Sequence, residues 1–178
     1  MEFSEAQHDM RRAYVNGGVG VLVSGIIWVI AGLVTINISL SYGMAALFFG
    51  GMAIHPLSLL LGKLLFKSEK TVASNPLEIL ALQSTPFLIV GLVIAYVVSD
   101  SHADWFFAIA LLAVGARYLV FQTIYGMRHC VILGAVLIAL GFVSIWYLDL
   151  PPHIIAIAGG TTEVVFSIII LRRPESAT

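Results

Sequence analysis

The chain has 178 residues, of which 60% are hydrophobic and only 11% are charged, and its formal net charge is −1. A soluble domain usually has about a quarter of its residues charged, so this composition excludes an ordinary water-exposed surface. Nucleic acid is excluded as a partner, because no basic patch is present to neutralise phosphates. A single cysteine, Cys130, excludes an intramolecular disulfide, and no metal-ligand or cofactor motif is present, so neither a metal nor a cofactor is expected.

The N-terminal segment, residues 1–16, opens with acidic residues where a secretory signal would carry basic ones. Its apolar residues recur at helical spacing: Phe3, Ala6, Met10, Ala13 and Tyr14. This pattern predicts a short helix lying on the membrane surface, and the alternative is a frayed terminus.

Six apolar stretches follow, each long enough to cross a bilayer as a helix, which needs roughly 20 residues. They are residues 17–37, 43–61, 77–98, 105–125, 130–148 and 153–171. Because the runs are continuous rather than alternating, helices are favoured over a barrel. The sequence therefore predicts an all-α polytopic bundle with a transmembrane domain over residues 17–171 and a tail over residues 172–178.

The basic residues predict an orientation for this bundle. Of the nine Lys and Arg residues, all but Arg117 lie outside the apolar runs, and they occupy only alternate connections. They are Arg11, Arg12, Lys63, Lys67, Lys70, Arg128, Arg172 and Arg173. By the positive-inside rule both termini are cytoplasmic, which describes a multi-pass protein of a plasma membrane.

A local pattern recurs in the odd-numbered spans. It reads WVIAGLVTI from Trp28, FLIVGLVIA from Phe87 and LIALGFVSI from Leu137. The even-numbered spans each carry a central glycine: Gly51, Gly115 and Gly160. These patterns predict three repeated helical hairpins, and the alternative is chance resemblance between apolar segments.

Small residues also recur every seven positions in the odd-numbered spans. They are Gly18, Gly25 and Gly32 in the first, Ser84 and Gly91 in the third, and Gly134 and Gly141 in the fifth. Such stripes let helix backbones approach closely in lipid, so we expect a compact bundle.

Three ionisable side chains interrupt the apolar runs near the middle of the bilayer: His55, Arg117 and Glu163. A charge at that depth costs at least about 2.5 to 3.5 kcal/mol, so we expect Arg117 and Glu163 to face protein and to pair with each other. Small residues share the helix faces of Glu163 and His55, which predicts that both faces are packed inward. Gln83 lies in a polar run before Pro86, and Tyr118 adjoins Arg117. The candidate ligand-binding residues are His55, Gln83, Arg117, Tyr118 and Glu163, and no catalytic residue is assigned.

The first functional hypothesis is that a polar midplane pocket binds or translocates a small polar solute. Arg117 would neutralise an anionic group, Glu163 would hold Arg117 or a cationic group, and His55 would respond to pH near neutrality. The second is a structural or partner subunit in which a buried Arg–Glu ion pair fixes the helix arrangement. The third, a membrane-embedded enzyme using His55 and Glu163 as acid and base, is disfavoured because no nucleophile–base set or metal cluster is recognisable. The candidate partners are the lipid bilayer, a small polar solute and further copies of the chain.

Five segments carry a resemblance to a known group of proteins: AQHDMRRAY, GVLVSGIIWVIAGLV, LFFGGMAIHPLS, ARYLVFQTIYGMR and GGTTEVVFSIIILRR. Together they resemble an uncharacterised family of small bacterial six-helix membrane proteins. That family has no known activity, ligand or partner. The resemblance therefore implies a bacterial inner-membrane setting and no mechanism.

Overall fold

Helices account for all the regular structure in the computed structural model, which describes residues 1–68, 70–72, 75–147 and 150–172. The seven α-helices within these ranges are α1 (Phe3–Ala13), α2 (Gly18–Asn37), α3 (Leu40–Phe66), α4 (Pro76–Val98), α5 (Phe106–Tyr125), α6 (Arg128–Trp146) and α7 (Pro152–Leu171). Six of them, α2 to α7, are long and apolar enough to cross a membrane. The predicted all-α bundle with six spans is confirmed.

The helix α3 is the one that departs most from its predicted bounds, because it runs for 27 residues where 43–61 was predicted. The side chain of Ser39 accepts a hydrogen bond from the Tyr42 amide and so starts the helix early. Apolar residues after Gly62 prolong it until Lys67 adopts a left-handed conformation. Lys63, predicted in a loop, therefore lies on the last turn of α3. Some of the predicted segments extend outside the described residues. They include residues 69, 73 and 74 of that loop, Leu148 at the end of the predicted fifth span, Asp149, and residues 173–178 of the predicted tail.

The helix α1 is fastened across one end of the bundle, and we call that end the α1 face. Asn75 Nδ2 donates to Asp9 Oδ2 at 2.8 Å and to the Ala6 carbonyl at 3.0 Å, while Asn75 Oδ1 caps α4 by accepting from the Leu77 amide. Asp9 Oδ2 also accepts from the Val72 amide at 3.0 Å. The apolar side of α1 packs with Leu77 and the residues where α5 ends and α6 begins. The segment predicted as either a helix or a frayed terminus is thus a docked helix.

The Asp9 carboxylate carries much of this docking. Burial acts to raise the pKa of Asp9, but the hydrogen bonds from Asn75 and the Val72 amide, together with the charge of Arg12, outweigh burial and lower the pKa below its usual value. A carboxyl whose pKa is lower in the folded state stabilises that state above its unfolded pKa, which is about 3.9. This stabilisation is lost as the pH falls through the folded pKa.

Asp9→Asn should therefore loosen α1 at neutral pH, by about 1.5 to 3 kcal/mol if the hydrogen bonds to the charged oxygen are lost. Hydrogen exchange of the α1 amides measures this opening directly. The difference between parent and variant should disappear at a pH below the folded pKa. Glu5→Gln, which removes the same charge from an exposed position of α1, is the matched control and should leave the docking intact. Equal exchange in parent and Asp9→Asn at neutral pH would show that the carboxylate does not hold the helix.

The spanning helices form an open arc rather than a closed ring. The helix α2 packs against α3 and α7, and α5 packs against α4, α6 and α7. Along their described residues, α3 and α4 do not pack extensively against each other. The two ends of the arc are therefore α3 and α4, and a gap separates them.

Two glycine-on-glycine crossings hold the closed part of the arc. A Cβ atom placed on Gly160 of α7 would lie 2.6 Å from the Gly25 carbonyl oxygen of α2, and one on Gly25 would lie 2.7 Å from the Gly160 oxygen. Between α5 and α6, the corresponding distances for Gly115 and Gly134 are 2.8 and 2.7 Å. No side chain fits between these backbones, so the stripe residues Gly25 and Gly134 bring helices together as predicted.

Candidate functional site

A cavity of about 460 Å³ lies in the gap between α3 and α4. Its remaining walls come from α2 and α5, and the residues Met10, Ala13 and Tyr14 of the N-terminal segment line its end at the α1 face. Most of the lining is apolar. The ionisable side chains in the lining are Tyr14, His55, Glu78, Arg117, Tyr118 and Tyr125. A pocket of this size is within the range that holds small organic ligands.

The cavity occupies a helix junction whose two counterparts are closed. Ser84 of α4 stands at the sequence position held by the crossing glycines of α2 and α6, and Gly51 of α3 at that held by the crossing glycines of α5 and α7. A Cβ atom placed on Gly51 meets no other described atom within 4 Å. The face of α3 that carries Gly51 and His55 is predicted to pack inward, but it borders open space. That prediction is wrong for α3 because α4 does not close over it.

Arg117 lies in the wall of this cavity, where α4 meets α5. Its Nε donates to Ser84 Oγ at 3.2 Å, and its Nη2 donates to Thr85 Oγ1 at 3.1 Å. The guanidinium carbon also lies 5.2 Å from the centre of the Phe121 ring, in cation–π range. Among the described residues, no carboxylate lies within 4.0 Å of the guanidinium. Arg117 is thus held by neutral hydroxyls and a ring.

Glu163 lies behind the cavity wall and is 0% exposed. Its Oε1 accepts a hydrogen bond of 2.7 Å from the Tyr118 hydroxyl, and its Oε2 has no hydrogen-bond partner among the described residues. The predicted ion pair between Arg117 and Glu163 is therefore wrong. Neighbouring positions on a helix point about 100° apart. Tyr118 faces α7 while Arg117 faces α4, and this rotation separates the two charges.

The other predicted site residues divide between the cavity and the surface. His55 lines the cavity from α3, with its ring centre 6.3 Å from that of Tyr14. Gln83 is exposed and does not line the cavity. The structure therefore brings His55, Arg117 and Tyr118 to one cavity and leaves Gln83 and Glu163 out of it. Because Glu163 does not reach the cavity that His55 lines, these two residues do not form an acid–base pair.

Tyr14 and Glu78 close the cavity near the α1 face. The Tyr14 hydroxyl donates to Glu78 Oε1 at 3.4 Å, and the Thr71 hydroxyl donates to the same oxygen. Burial, followed by the charge of Glu78, raises the pKa of Tyr14 above its usual value. The phenol therefore stays protonated and keeps donating at neutral pH. Within the described residues, no group of three or more His, Cys, Asp or Glu side chains is placed to hold a metal ion.

Four residues at this site are not among the predicted site residues: Tyr14, Glu78, Ser84 and Thr85. A signal for the last two existed, since they adjoin Gln83 in the polar run before Pro86. Ser84 also stands in a small-residue stripe, which should have identified it as the inward-facing member of that run. Tyr14 and Glu78 meet only because α1 folds back over the bundle, and no local pattern reports that contact.

Comparison with known proteins places the chain by its family alone. No curated protein and no solved structure shows significant similarity to it. One family model matches residues 3–173, and its description is a family of unknown function, DUF7010. The chain therefore belongs to DUF7010, an uncharacterised family, as the resemblance of its sequence predicts.

Proposed function

We propose that this membrane protein binds a small solute through an anionic group, in the cavity between α3 and α4. The observation that carries the proposal is the environment of Arg117. A guanidinium has five N–H donors, and described side chains accept from two of them. A cation at this depth is costly unless a counter-charge or a set of acceptors compensates it. An anionic ligand supplies the counter-charge that the described protein groups do not.

The neighbouring side chains have separate roles in this proposal. Tyr118 stands beside Arg117 in the wall, and Glu163 fixes the direction of its hydroxyl from behind. His55 faces the ligand from the opposite wall. Glu78 lies at the α1 face, where its negative charge keeps the anionic group at the Arg117 level. Glu163 is not a ligand-binding residue here.

The same proposal includes an orientation, with the α1 face in the cytoplasm of a bacterial cell. Every described Lys and Arg except Arg117 lies at that face, and the connections on the opposite side carry none. The ligand cavity then lies nearer the cytoplasmic side of the inner membrane, and transport would begin or end there. A reporter fused at Lys67 tests this orientation, since a periplasmic signal at that position contradicts it.

Ligand-dependent thermal stabilisation tests the binding function. The purified protein, held in lipid nanodiscs, is heated with a panel of anions that runs from acetate and phosphate to medium-chain alkyl carboxylates. An anion at 100 times its dissociation constant should add about 2.7 kcal/mol to the free energy of unfolding. Arg117→Gln should remove this stabilisation, and Arg117→Lys should retain part of it.

Arg128→Gln is the matched control, because Arg128 is exposed at the start of α6 and does not line the cavity. It should respond to the same anions as the parent. If no anion stabilises the parent, or if Arg117→Gln and Arg128→Gln respond alike, then Arg117 does not bind an anion and the proposed function is wrong.

A further inference from the structure

The cavity has a polar part and an apolar part at different depths. Arg117 lies eight residues before the end of α5 at Tyr125, which places it roughly 12 Å above the α1 face. Leu92, which also lines the cavity, lies sixteen residues after the start of α4 at Pro76, or roughly 24 Å above that face. Apart from His55 and Thr85, the lining beyond Arg117 is formed by apolar residues such as Trp28 and Leu47. An apolar chamber therefore extends about 12 Å past the cation.

The cavity also opens sideways, between α3 and α4. Met52 and Leu82 both line it, and they are 63% and 72% exposed. Both residues lie within helices that are long and apolar enough to span a membrane, so the opening faces the hydrocarbon of the bilayer. A molecule dissolved in the bilayer can reach the cavity without passing through water.

The open junction leaves room for a chain. At the two closed junctions, the backbones touch through glycine, whereas Gly51 meets no described atom within 4 Å of a built Cβ. Gly51 lines the same cavity as Arg117, Trp28 and Leu92. An extended hydrocarbon chain matches this space in its shape and in its lack of polar groups.

We propose that the ligand is a single-chain amphiphile with an anionic head, of the kind represented by a long-chain carboxylate. Its head lies on Arg117, its chain runs along Gly51 into the apolar chamber, and it enters from the bilayer between α3 and α4. This inference rests on the proposed anion-binding function and specifies its substrate class. Small hydrophilic anions lack the apolar chain that fills the rest of the cavity.

Trp28 provides a reporter for the chain, because it lines the cavity while the other two tryptophans, Trp105 and Trp146, lie at the opposite end of the bundle from α1. The full-length protein with Trp105→Phe and Trp146→Phe is reconstituted into phosphatidylcholine vesicles. A long-chain carboxylate brominated along its chain is added at a pH that ionises the head. Bromine quenches tryptophan fluorescence at short range, so bound ligand should quench Trp28 with saturation.

Two pairs of measurements assign the quenching to the proposed pose. The methyl ester of the same brominated chain lacks the charge and should bind the parent protein at least tenfold more weakly. The carboxylate should bind the Arg117→Gln variant more weakly by the same factor. In both cases a charged hydrogen bond is lost, which is worth about tenfold or more in affinity. Gly51→Leu places a side chain in the open space and should abolish saturable quenching. Ala53→Leu adds its side chain two residues away, outside the cavity lining, and should leave quenching unchanged.

The outcomes separate this inference from the function on which it rests. Quenching that rises linearly with ligand, or that is equal for Gly51→Leu and Ala53→Leu, overturns the amphiphile. If acetate or phosphate still stabilises the parent through Arg117 in that case, then the anion site stands and its ligand is a small hydrophilic solute. If neither kind of probe binds, both proposals fail. A circular-dichroism melt of Gly51→Leu that matches Ala53→Leu shows that lost quenching reflects a filled cavity and not an unfolded protein.

Discussion

Gly160→Leu should strongly destabilise the bundle, whereas Gly51→Leu should leave its stability nearly unchanged. A Cβ atom on Gly160 would lie 2.6 Å from the Gly25 carbonyl oxygen and 2.8 Å from the Val29 amide nitrogen, both of them backbone atoms of α2. The helix α2 cannot yield without leaving its contacts with α3 and α7. Overpacking a filled core typically costs about 1 to 3 kcal/mol, and a leucine between two touching backbones belongs at or above the upper end. The whole stability of a protein is only about 5 to 15 kcal/mol.

The alanine variants give the same contrast on a measurable scale. Gly160→Ala should lower the free energy of unfolding by about 1 to 3 kcal/mol, because even one methyl group meets backbone. Gly51→Ala should be neutral or stabilising by up to about 1 kcal/mol, since alanine favours a helix and the site is open. Thermal unfolding and the yield of monodisperse protein measure both. Equal melting temperatures for the two alanine variants would show that the Gly25–Gly160 crossing is packed no more tightly than the junction at Gly51.

Removing the Tyr118 hydroxyl should cost almost as much as removing its carboxylate partner. Tyr118→Phe removes the 2.7 Å hydrogen bond that the Tyr118 hydroxyl donates to the fully buried Glu163, which should lower the free energy of unfolding by about 1 to 3 kcal/mol. Once Glu163→Ala has removed the carboxylate, Tyr118→Phe should cost little more. The double-mutant cycle should therefore give a coupling energy of about 0.5 to 3 kcal/mol.

Arg117 supplies the contrasting cycle. Arg117 and Glu163 have different hydrogen-bond partners, because Arg117 donates to Ser84 and Thr85 whereas Glu163 accepts from Tyr118. The effects of Arg117→Ala and Glu163→Ala should then add within about 0.5 kcal/mol. Thermal or denaturant unfolding of the four proteins in nanodiscs measures both cycles. A strong coupling energy between Arg117 and Glu163 would show that they form an ion pair that the structure lacks.

The spans could be predicted because the length and hydropathy of a membrane helix are local properties of the chain. The bounds were least accurate for α3, where apolar residues on the far side of Gly62 continue the helix past the first basic residue. The sequence predicts a loop that begins at Gly62 and contains Lys63, but a lysine can lie on the last turn of a helix and extend its ammonium group to the interface. The sequence does not predict whether α1 docks on the bundle, because its partner Asn75 lies more than sixty residues away along the chain.

The sequence predicts which residues belong to the candidate site better than it predicts which of them touch. Arg117 and Glu163 stood out because each is an ionisable residue in an apolar run. Their pairing depended on which helices are neighbours and how each is rotated, and neither fact is encoded by spacing along one helix. Because Arg117 and Glu163 carry opposite charges at one depth of the bilayer, the sequence predicts an ion pair between them. The structure holds them separately, Arg117 with hydroxyl groups from α4 and Glu163 with the phenol of Tyr118.

The contact between Gly25 and Gly160 has a consequence for how the protein is assembled. It joins the first spanning helix to the sixth, and a chain is synthesised from its N-terminus. After α2 is inserted into the membrane, its glycine stripe therefore stays uncovered until α7 is inserted. The α5–α6 crossing, between consecutive helices, can form earlier because its loop is short. The insertion of α7 is thus the step that joins α2 to the helices that pack against α5. A chain whose synthesis stops before α7 leaves α2 without its partner.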